Sequence, residues 1–528
     1  MRHVRNVLLA VFAVVAFGPL IALAFAAFQQ LLDPQTREQL LAAGPSLRQV
    51  LLLLHSAAFA LSVAAGATML GVVAASALWQ WSRGAWRHLR WWFLLLLFIP
   101  PYLQAQAWLS ALAMTSAALG RAAGVAGASG GLAAWWAEVM LYTPMTVGLA
   151  LLGLCAVEPR LLEAARLGRS DLRALTLVAV PLAWPQIAAA GGLVFLFSLT
   201  DYGVPSLLQV SSYPLEIFAY FSGGGPSGGA LLLSLPLLTL AVPMLAVVSG
   251  GIRAAAHKPP GAQRPLQTAF GWPWWVQLVQ HVALLLLAMQ LLVPLLVLLR
   301  QAGSTSAIVR ATSLARSEIA TTAAIALAAG LLCLPLAYVL AQQLNRVDAH
   351  GRWWWYATLL PAAIPAPLLG IGLIAVWNHP WADMALNSLL LPVLVALARF
   401  APLAALFMVA QLKRIDPLLI DAGRVFGHSE LRTWLSVHLP LLAPGLIAGG
   451  LLVAALSAGE LGGTLIVAPP GRATLAMRIY NYLHYGASEN VAGLCLLLAG
   501  TALLAAAAAF TALSLRTSAS AGQPRGQA

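Results

Sequence analysis

The chain has 528 residues, of which 61% are hydrophobic and 9% are charged. A soluble domain is typically about a quarter charged, so a soluble chain of this composition could not cover its own core. The net charge of +13 does not indicate a nucleic-acid partner, because the Arg residues are scattered among apolar runs without a basic stripe. We therefore predict an integral membrane protein.

Apolar runs of about 20 residues, the length of a membrane-crossing helix, follow one another along the chain. Such runs favour helices over the alternating ten-residue strands of a barrel. They predict an all-α polytopic membrane protein with about twelve transmembrane helices. These lie at about 7–28, 50–79, 91–118, 136–157, 186–206, 229–251, 276–300, 314–341, 354–377, 387–410, 445–466 and 491–514.

The positive charges predict the orientation. With the N-terminus placed inside, most of the 29 Lys and Arg residues fall in cytoplasmic loops, as the positive-inside rule requires. We expect a multi-pass protein of the bacterial inner (cytoplasmic) membrane with both termini in the cytoplasm.

The two halves of the chain resemble each other. Motifs recur in the same order about 258 positions apart: Glu158-Pro159 recurs as Asp416-Pro417, and Ser198 and Asp201 recur as Ser457 and Glu460. A nearly constant offset indicates an internal duplication. Since six helices per half is an even number, the two six-helix repeats are predicted to be parallel.

A charged loop joins the fourth and fifth predicted helices of each half. The first reads Glu163-Ala164-Ala165-Arg166-Leu167-Gly168 and reaches Pro181; the second reads Asp421-Ala422-Gly423-Arg424-Val425-Phe426-Gly427 and reaches Pro440. We predict a short helix, a break at the Gly, and a second helix that the Pro ends. The small residues would let another surface approach closely.

This loop resembles the EAA coupling loop of permease subunits in binding-protein-dependent ABC importers. The second copy has the full spacing, whereas Glu163 lies one residue too close to Gly168. The resemblance covers roughly 50–251 and 314–514 and implies the MetI-like, type I ABC importer permease fold. It implies that an ATPase docks on Glu163, Ala164, Ala165, Arg166, Gly168, Asp421, Ala422, Gly423, Arg424 and Gly427, with Arg166 and Arg424 pairing with its acidic groups.

The same resemblance implies the partners and the mechanism. Two copies of a separate ABC ATPase subunit would lie under the coupling loops, and a periplasmic solute-binding protein would meet the other face. ATP would drive alternating access, and substrate would move from periplasm to cytoplasm. Neither Lys258 nor Lys413 lies in a P-loop motif, so we expect a permease and not an enzyme.

Shorter stretches indicate a subgroup. Three of them resemble the fused two-half permeases of ferric-iron importers: Pro100-Pro101-Tyr102-Leu103-Gln104, Asp201-Tyr202-Gly203-Val204-Pro205 and Gly459-Glu460-Leu461-Gly462-Gly463-Thr464. The expected substrate is ferric iron. Permeases for thiamine, 2-aminoethylphosphonate, polyamines and sulfate or molybdate are relatives of this subgroup. The alternative substrates are thiamine, 2-aminoethylphosphonate or a polyamine.

The resemblance and the repeat together divide the chain into predicted segments. These are a first helix and periplasmic loop (1–49), a first permease core domain (50–251), a cytoplasmic Pro-rich linker (252–275), a seventh helix and periplasmic loop (276–313), a second permease core domain (314–514) and a cytoplasmic tail (515–528).

Polar groups at membrane depth predict the translocation path, because burying them is costly unless they are paired or hydrated. The predicted set is Asp201, Glu460, Arg399, Gln104 and Tyr202. Asp201 and Glu460 would either line a cation path or satisfy backbone groups at helix ends. Arg399, whose repeat equivalent is Leu141, would pair with Glu460 or another acid. Gln104 would line the path or join two helices.

No metal site or cofactor is predicted. The ten His residues have no metal-ligand spacing, and the three Cys residues are far apart in apolar runs.

Two other classes of membrane protein are the alternatives to an ABC importer permease. A twelve-helix secondary transporter driven by an ion gradient explains the repeat but not the duplicated loop, and co-purification of an ATPase would separate the two readings. An integral-membrane enzyme finds no support in a nucleophile–base or metal motif.

Overall fold

The computed structural model describes residues 2–80, 98–118, 130–256, 270–346, 348–413, 415, 418, 425, 429–485 and 488–521. Every regular element in these ranges is a helix. A helix satisfies its backbone N–H and C=O groups internally, which hydrocarbon requires because it offers no hydrogen-bonding partner. The predicted all-α polytopic membrane fold is confirmed.

The elements follow the two halves of the sequence. The first half contains Arg2–Leu32, Pro34–Ala42, Leu47–Gln80, Pro101–Ala118, Gly130–Cys155, Pro159–Gly168, Asp171–Ala174, Val180–Thr200, Gly203–Leu207, Tyr213–Ser222 and Ser227–Ala256. The second contains Trp274–Ala302, Thr305–Leu314, Arg316–Leu344, Ala349–Leu359, Ala366–Trp377, Asp383–Leu386, Leu390–Leu412, Glu430–Thr433, Leu439–Ala458, Thr464–Val467, Leu475–Tyr485 and Ser488–Ala521. Two π-helical turns (Leu175–Ala179, Trp434–His438) and two 3₁₀ turns (Leu360–Ala363, Pro380–Ala382) complete the described elements.

The number of membrane spans is close to the prediction. Ten described helices are long and apolar enough to cross a bilayer, and one bent pair brings the number to as many as eleven. The predicted helix 91–118 lies partly outside the described residues, and the helix that is described within it is Pro101–Ala118. Twelve spans are therefore not confirmed.

The predicted single helix 354–377 is wrong. Two helices, His350–Ala363 and Ala366–Trp377, meet there at an angle of 97°. Ile364 between them is extended, with φ −95° and ψ 130°. A residue that precedes proline is driven out of the helical region by the proline ring, and Pro365 therefore breaks the span.

The fifth helix of each half begins earlier than predicted. The predicted ranges were 186–206 and 445–466, whereas the observed spans are Asp171–Thr200 and Trp434–Ala458. Pro181 and Pro440 do not end a helix, contrary to the prediction. Each lies in the first turn of the helix that follows a π-helical turn, a position where the missing N–H of proline is tolerated.

The internal duplication is visible in the packing. In the first half Leu47–Gln80, Gly130–Cys155 and Val180–Thr200 pack on one another, and in the second half Arg316–Leu344, Leu390–Leu412 and Leu439–Ala458 do the same. The two π-helical turns start 259 positions apart, at Leu175 and Trp434. Their matched places support the assignment of two parallel repeats.

The first long helix of each half crosses to the other half. We call Arg2–Leu32 and Trp274–Ala302 the first and second leading helices. The first packs on Ala366–Trp377 of the second half, and the second packs on Leu47–Gln80 and Pro101–Ala118 of the first half. The two halves are therefore interlocked by their leading helices, a feature that the hydrophobic pattern did not indicate.

Candidate functional site

The first coupling helix, Pro159–Gly168, is fixed on one side and free on the other. Pro159 occupies its first turn, and the helix ends at Gly168 because Arg169 is extended. Leu162 is fully buried, whereas the Leu167 side chain is 92% exposed. A Cβ atom added to Gly168 would meet nothing within 4 Å. The helix therefore exposes one large apolar side chain, Leu167, next to a glycine that leaves room for a neighbouring surface.

The other residues of the predicted ATPase-docking set share this helix. Ala164 is exposed, and Glu163, Ala165 and Arg166 are half-buried. Arg166 is engaged within the chain: its Nε lies 2.7 Å from Asp171 Oδ1 and its Nη2 lies 3.2 Å from Asp171 Oδ2. This bidentate pair directs the Arg166 guanidinium toward its own chain, which the sequence reading did not foresee.

The second coupling loop carries the other half of the predicted ATPase-docking set. Asp421, Ala422, Gly423, Arg424 and Gly427 lie outside the described residues. Their docking role stays a prediction.

A charged pair lies at membrane depth in the second half. Arg399 Nη1 is 2.9 Å from Glu460 Oε1, and the Arg399 and Glu460 side chains are 25% and 1% exposed. The Glu460 carboxylate also accepts the backbone N–H groups of Gly463 (3.0 Å) and Thr464 (2.9 Å). Arg399 thus pairs with Glu460, one of the two kinds of partner that the sequence suggested.

Asp201 also accepts backbone N–H groups, at the matching place in the first half. Its carboxylate accepts the backbone N–H groups of Gly203 (3.0 Å) and Val204 (3.2 Å). Both acids therefore receive the N–H groups that open at the break after the fifth helix, as a carboxylate does at a helix N-terminus. Arg399 lies within electrostatic reach of Asp201, so its charge acts on both halves.

The remaining predicted path residues join helices. Gln104 is fully buried and accepts a hydrogen bond of 3.2 Å from Gln290 Nε2 on the second leading helix. The Tyr202 hydroxyl lies 3.2 Å from the Tyr480 hydroxyl, so the fifth-helix break of the first half contacts Leu475–Tyr485. In this structure Gln104 holds two helices together and is not exposed to a channel.

The sequence reading missed Glu138. This carboxyl is fully buried on Gly130–Cys155, and its Oε2 accepts the hydroxyl of Ser198. Its Oε1 has no hydrogen-bond partner among the described residues. An acid inside an apolar run was the available signal, because ionisable residues in membrane helices are rare.

The described residues offer no metal centre. Among them, no group of three or more His, Cys, Asp or Glu side chains is placed to hold a metal ion. Cys333 and Cys495 are buried, and Cys155 is half-buried.

Comparison with known proteins places the chain in a family. No protein-family model matches the chain. WtpB of Pyrococcus abyssi, a molybdate/tungstate transport system permease protein, is 30% identical over 181 residues, which are 33% of this chain and 69% of WtpB. ModB of Haemophilus influenzae, a molybdenum transport system permease protein, is 28% identical over 195 residues, 34% of this chain and 85% of ModB.

A third relative is named for another oxyanion. PhnV of Salmonella paratyphi A, named for 2-aminoethylphosphonate transport, is 30% identical over 156 residues, 29% of this chain and 57% of PhnV. Each alignment takes up about a third of this chain, which is less than one of its halves. The chain belongs to the permease subunits of ABC importers: it is a multi-pass transport protein and not an enzyme. The ferric-iron subgroup finds no support in these relatives.

Proposed function

We propose that this chain carries both permease halves of a binding-protein-dependent ABC importer, fused in one polypeptide. The observation that carries the proposal is the first coupling helix, with Leu167 and Gly168 free on its outer side. The exposed Leu167 side chain and the unobstructed Gly168 next to it offer a partner subunit an apolar contact surface on a helix that does not span the membrane. An ATPase subunit, two copies of which would serve the two coupling loops, is the partner that the family provides.

We further propose that the substrate is an oxyanion, either a phosphonate or molybdate. The relatives support this class, because WtpB, ModB and PhnV are named for molybdate/tungstate, molybdenum and 2-aminoethylphosphonate. The charge pattern is compatible with it, since Arg399 carries a guanidinium that is one-quarter exposed. A guanidinium binds tetrahedral oxyanions through its planar fork of donors.

The translocation path would run where the breaks of the two fifth helices meet Arg399. In the proposed path Arg399 meets the oxyanion, while Asp201 and Glu460 hold the two breaks in shape. Tyr202 and Gln104 would act by joining neighbouring helices. The binding protein would deliver substrate from the periplasm, on the face opposite the coupling helices, with both chain termini in the cytoplasm of an inner-membrane protein.

Uptake in cells tests the proposal. Cells that lack this chain would be complemented with it, together with the ATPase and binding protein encoded beside it. The probes are labelled molybdate, 2-aminoethylphosphonate, Fe(III) and thiamine. We expect restored uptake of one oxyanion, and loss of that uptake when the ATPase is inactivated.

The other outcomes separate the rivals. Uptake of Fe(III) alone would support the proposed ABC importer but contradict the proposed oxyanion substrate. Uptake that persists without any ATPase and collapses with the ion gradient would identify a secondary transporter.

A further inference from the structure

The connection between the two halves returns to the membrane against the first coupling helix. Five parts of the chain meet there: the coupling helix, the short helix Asp171–Ala174, the end of Leu47–Gln80, the segment 270–272 and the start of the second leading helix. We call the contact set the junction clamp; it consists of Gln80, Arg166, Asp171, Phe270, Gly271 and Trp272.

Asp171 is the centre of the clamp. One carboxylate binds both the Arg166 guanidinium, at 2.7 and 3.2 Å, and the backbone N–H of Gly271, at 2.5 Å. The Arg166 and Asp171 side chains are only 18% and 16% exposed. A bidentate, charge-assisted pair with this geometry fixes the orientation of both side chains. The coupling helix and the returning connection are therefore bound to the same carboxylate.

Aromatic rings form the other side of the clamp. The Arg166 guanidinium lies 4.8 Å above the Phe270 ring. Phe270 stacks on Trp272, with ring centroids 4.7 Å apart, and contacts Trp79 at 5.3 Å. Phe270 and Trp272 are each only 5% exposed. The Arg166 head thus sits between a carboxylate and a buried ring, an arrangement that combines an ion pair with a cation–π contact.

Gln80 ties the returning segment to the core of the first half. Its Nε2 donates to the Phe270 carbonyl at 3.1 Å, and its Oε1 accepts the indole N–H of Trp272. The segment 270–272 is therefore held at the end of a core helix and runs directly into the second leading helix, whose first residue is Trp274.

We infer that the junction clamp makes the first coupling helix and the second leading helix move as one body. This inference rests on the proposed ATPase coupling. A displacement of the coupling helix would pass through Asp171 and Phe270 to Trp274–Ala302. That helix packs on two helices of the first half and on Ser488–Ala521 of the second, so a single push would reach both halves.

The clamp residues are positioning residues, and a state-dependent distance tests their role. Nitroxide labels are placed at Arg169→Cys and Trp274→Cys, two exposed sites on either side of the clamp. The distance between the two labels is measured by double electron–electron resonance on the full permease–ATPase complex. It is measured in the nucleotide-free state and in the state trapped with ATP and vanadate. With an intact clamp we expect one narrow distance distribution that is the same in both states.

Two variants loosen the clamp without removing the coupling helix. Asp171→Asn removes the charge that binds Arg166, and Phe270→Leu removes the ring beneath it. In each, the distance should shift and broaden on trapping. Because the two contacts act on one guanidinium, the double variant should shift little more than either single one. Asp348→Asn is the matched control: it removes the Arg346–Asp348 pair, at 2.6 Å and about half exposed, which joins neighbours in one loop.

The outcomes are distinct. A distance that changes on trapping with the clamp intact, or one that stays fixed in both variants, overturns the inference. If the clamp contributes only to stability, the variants would change the label distance equally in both states, and that result would also overturn the inference. Should Asp171→Asn fail to assemble, Phe270→Leu carries the same measurement. If the intact chain forms no vanadate-trapped complex with any ATPase, the proposed function fails first.

Discussion

Arg399 and Glu460 form an ion pair of 2.9 Å between the helix Leu390–Leu412 and the break that follows Leu439–Ala458. Glu460 is almost completely buried, and the N–H groups of Gly463 and Thr464 also bind its carboxylate. Its repeat equivalent, Asp201, binds two backbone N–H groups as well. An acid thus caps the break in both halves, whereas the cation is present only in the second half, where the first half has Leu141.

Glu460→Ala should destabilise the permease strongly. The substitution leaves two backbone N–H groups and one guanidinium without their acceptor, and breaking a buried pair by removing one partner costs about 3–5 kcal/mol. Thermal unfolding of the purified protein in detergent measures the loss. Glu38→Ala removes an exposed acid and should leave the midpoint unchanged. Equal midpoints for the two variants would refute the structural role of Glu460.

Gly168→Phe should separate folding from ATPase binding. The new side chain meets no atom of this chain within 4 Å at its Cβ, so insertion and thermal stability should be unchanged. It would project next to Leu167 into the proposed docking surface and should reduce co-purification of the ATPase at least about tenfold, a loss of about 1.4 kcal/mol. Gly131→Phe is the matched control, because that glycine also has no neighbour within 4 Å but opens the helix Gly130–Cys155 at the end away from the coupling helix. Normal ATPase recovery with Gly168→Phe would contradict the docking assignment.

Apolar runs made most of the membrane helices predictable, because a bilayer imposes one length and one composition on every span. The matched loops made the duplication predictable. The packing of each leading helix against the other half was not predictable, because the apolar residues of a membrane helix can pack against any other apolar helix. A small residue such as Gly372, which lies against Pro19, marks the helix on which the first leading helix packs. The two positions are far apart in sequence, so the contact is not visible in the sequence itself.

The site shows the same division. Arg399 and Glu460 could be paired from sequence, because both are charged residues in apolar surroundings. The Arg166–Asp171 pair could not, since its five-residue spacing is not a helical neighbour relation. It exists only because the chain turns at Gly168 and Arg169 between the two residues. Phe270 and Gly271 reach this pair from 100 positions away, across the connection between the halves.

Ser198→Ala should cost stability through Glu138. It removes the hydroxyl that donates to the Glu138 carboxyl, whose other oxygen has no partner among the described residues. An unsatisfied buried polar group costs about 1–3 kcal/mol. The double variant Glu138→Leu, Ser198→Ala should recover most of the lost stability, because it removes both polar groups. Ser457→Ala controls for the serine itself. Among the described residues, that hydroxyl bonds only to the Val453 carbonyl of its own helix, at 2.6 Å, so the loss of stability should be small. A thermal-unfolding cycle without coupling between positions 138 and 198 would contradict this account.

Gly372→Ala should loosen the interlock between the halves. An added Cβ would lie 2.6 Å from the carbonyl oxygen of Pro19 and 2.7 Å from its Cβ. Neither group can move without shifting the backbone of the first leading helix, and overpacking of this kind typically costs about 1–3 kcal/mol. Small residues at helix contacts in membranes have this purpose, since they let backbones approach closely. Gly500→Ala is the control, because its added Cβ meets nothing within 4 Å and it lies in a helix that is long and apolar enough to span the membrane. Thermal unfolding should therefore show a lower midpoint for Gly372→Ala and an unchanged or higher one for Gly500→Ala. The same midpoint in both would mean that the first leading helix does not rest on the second half in the membrane.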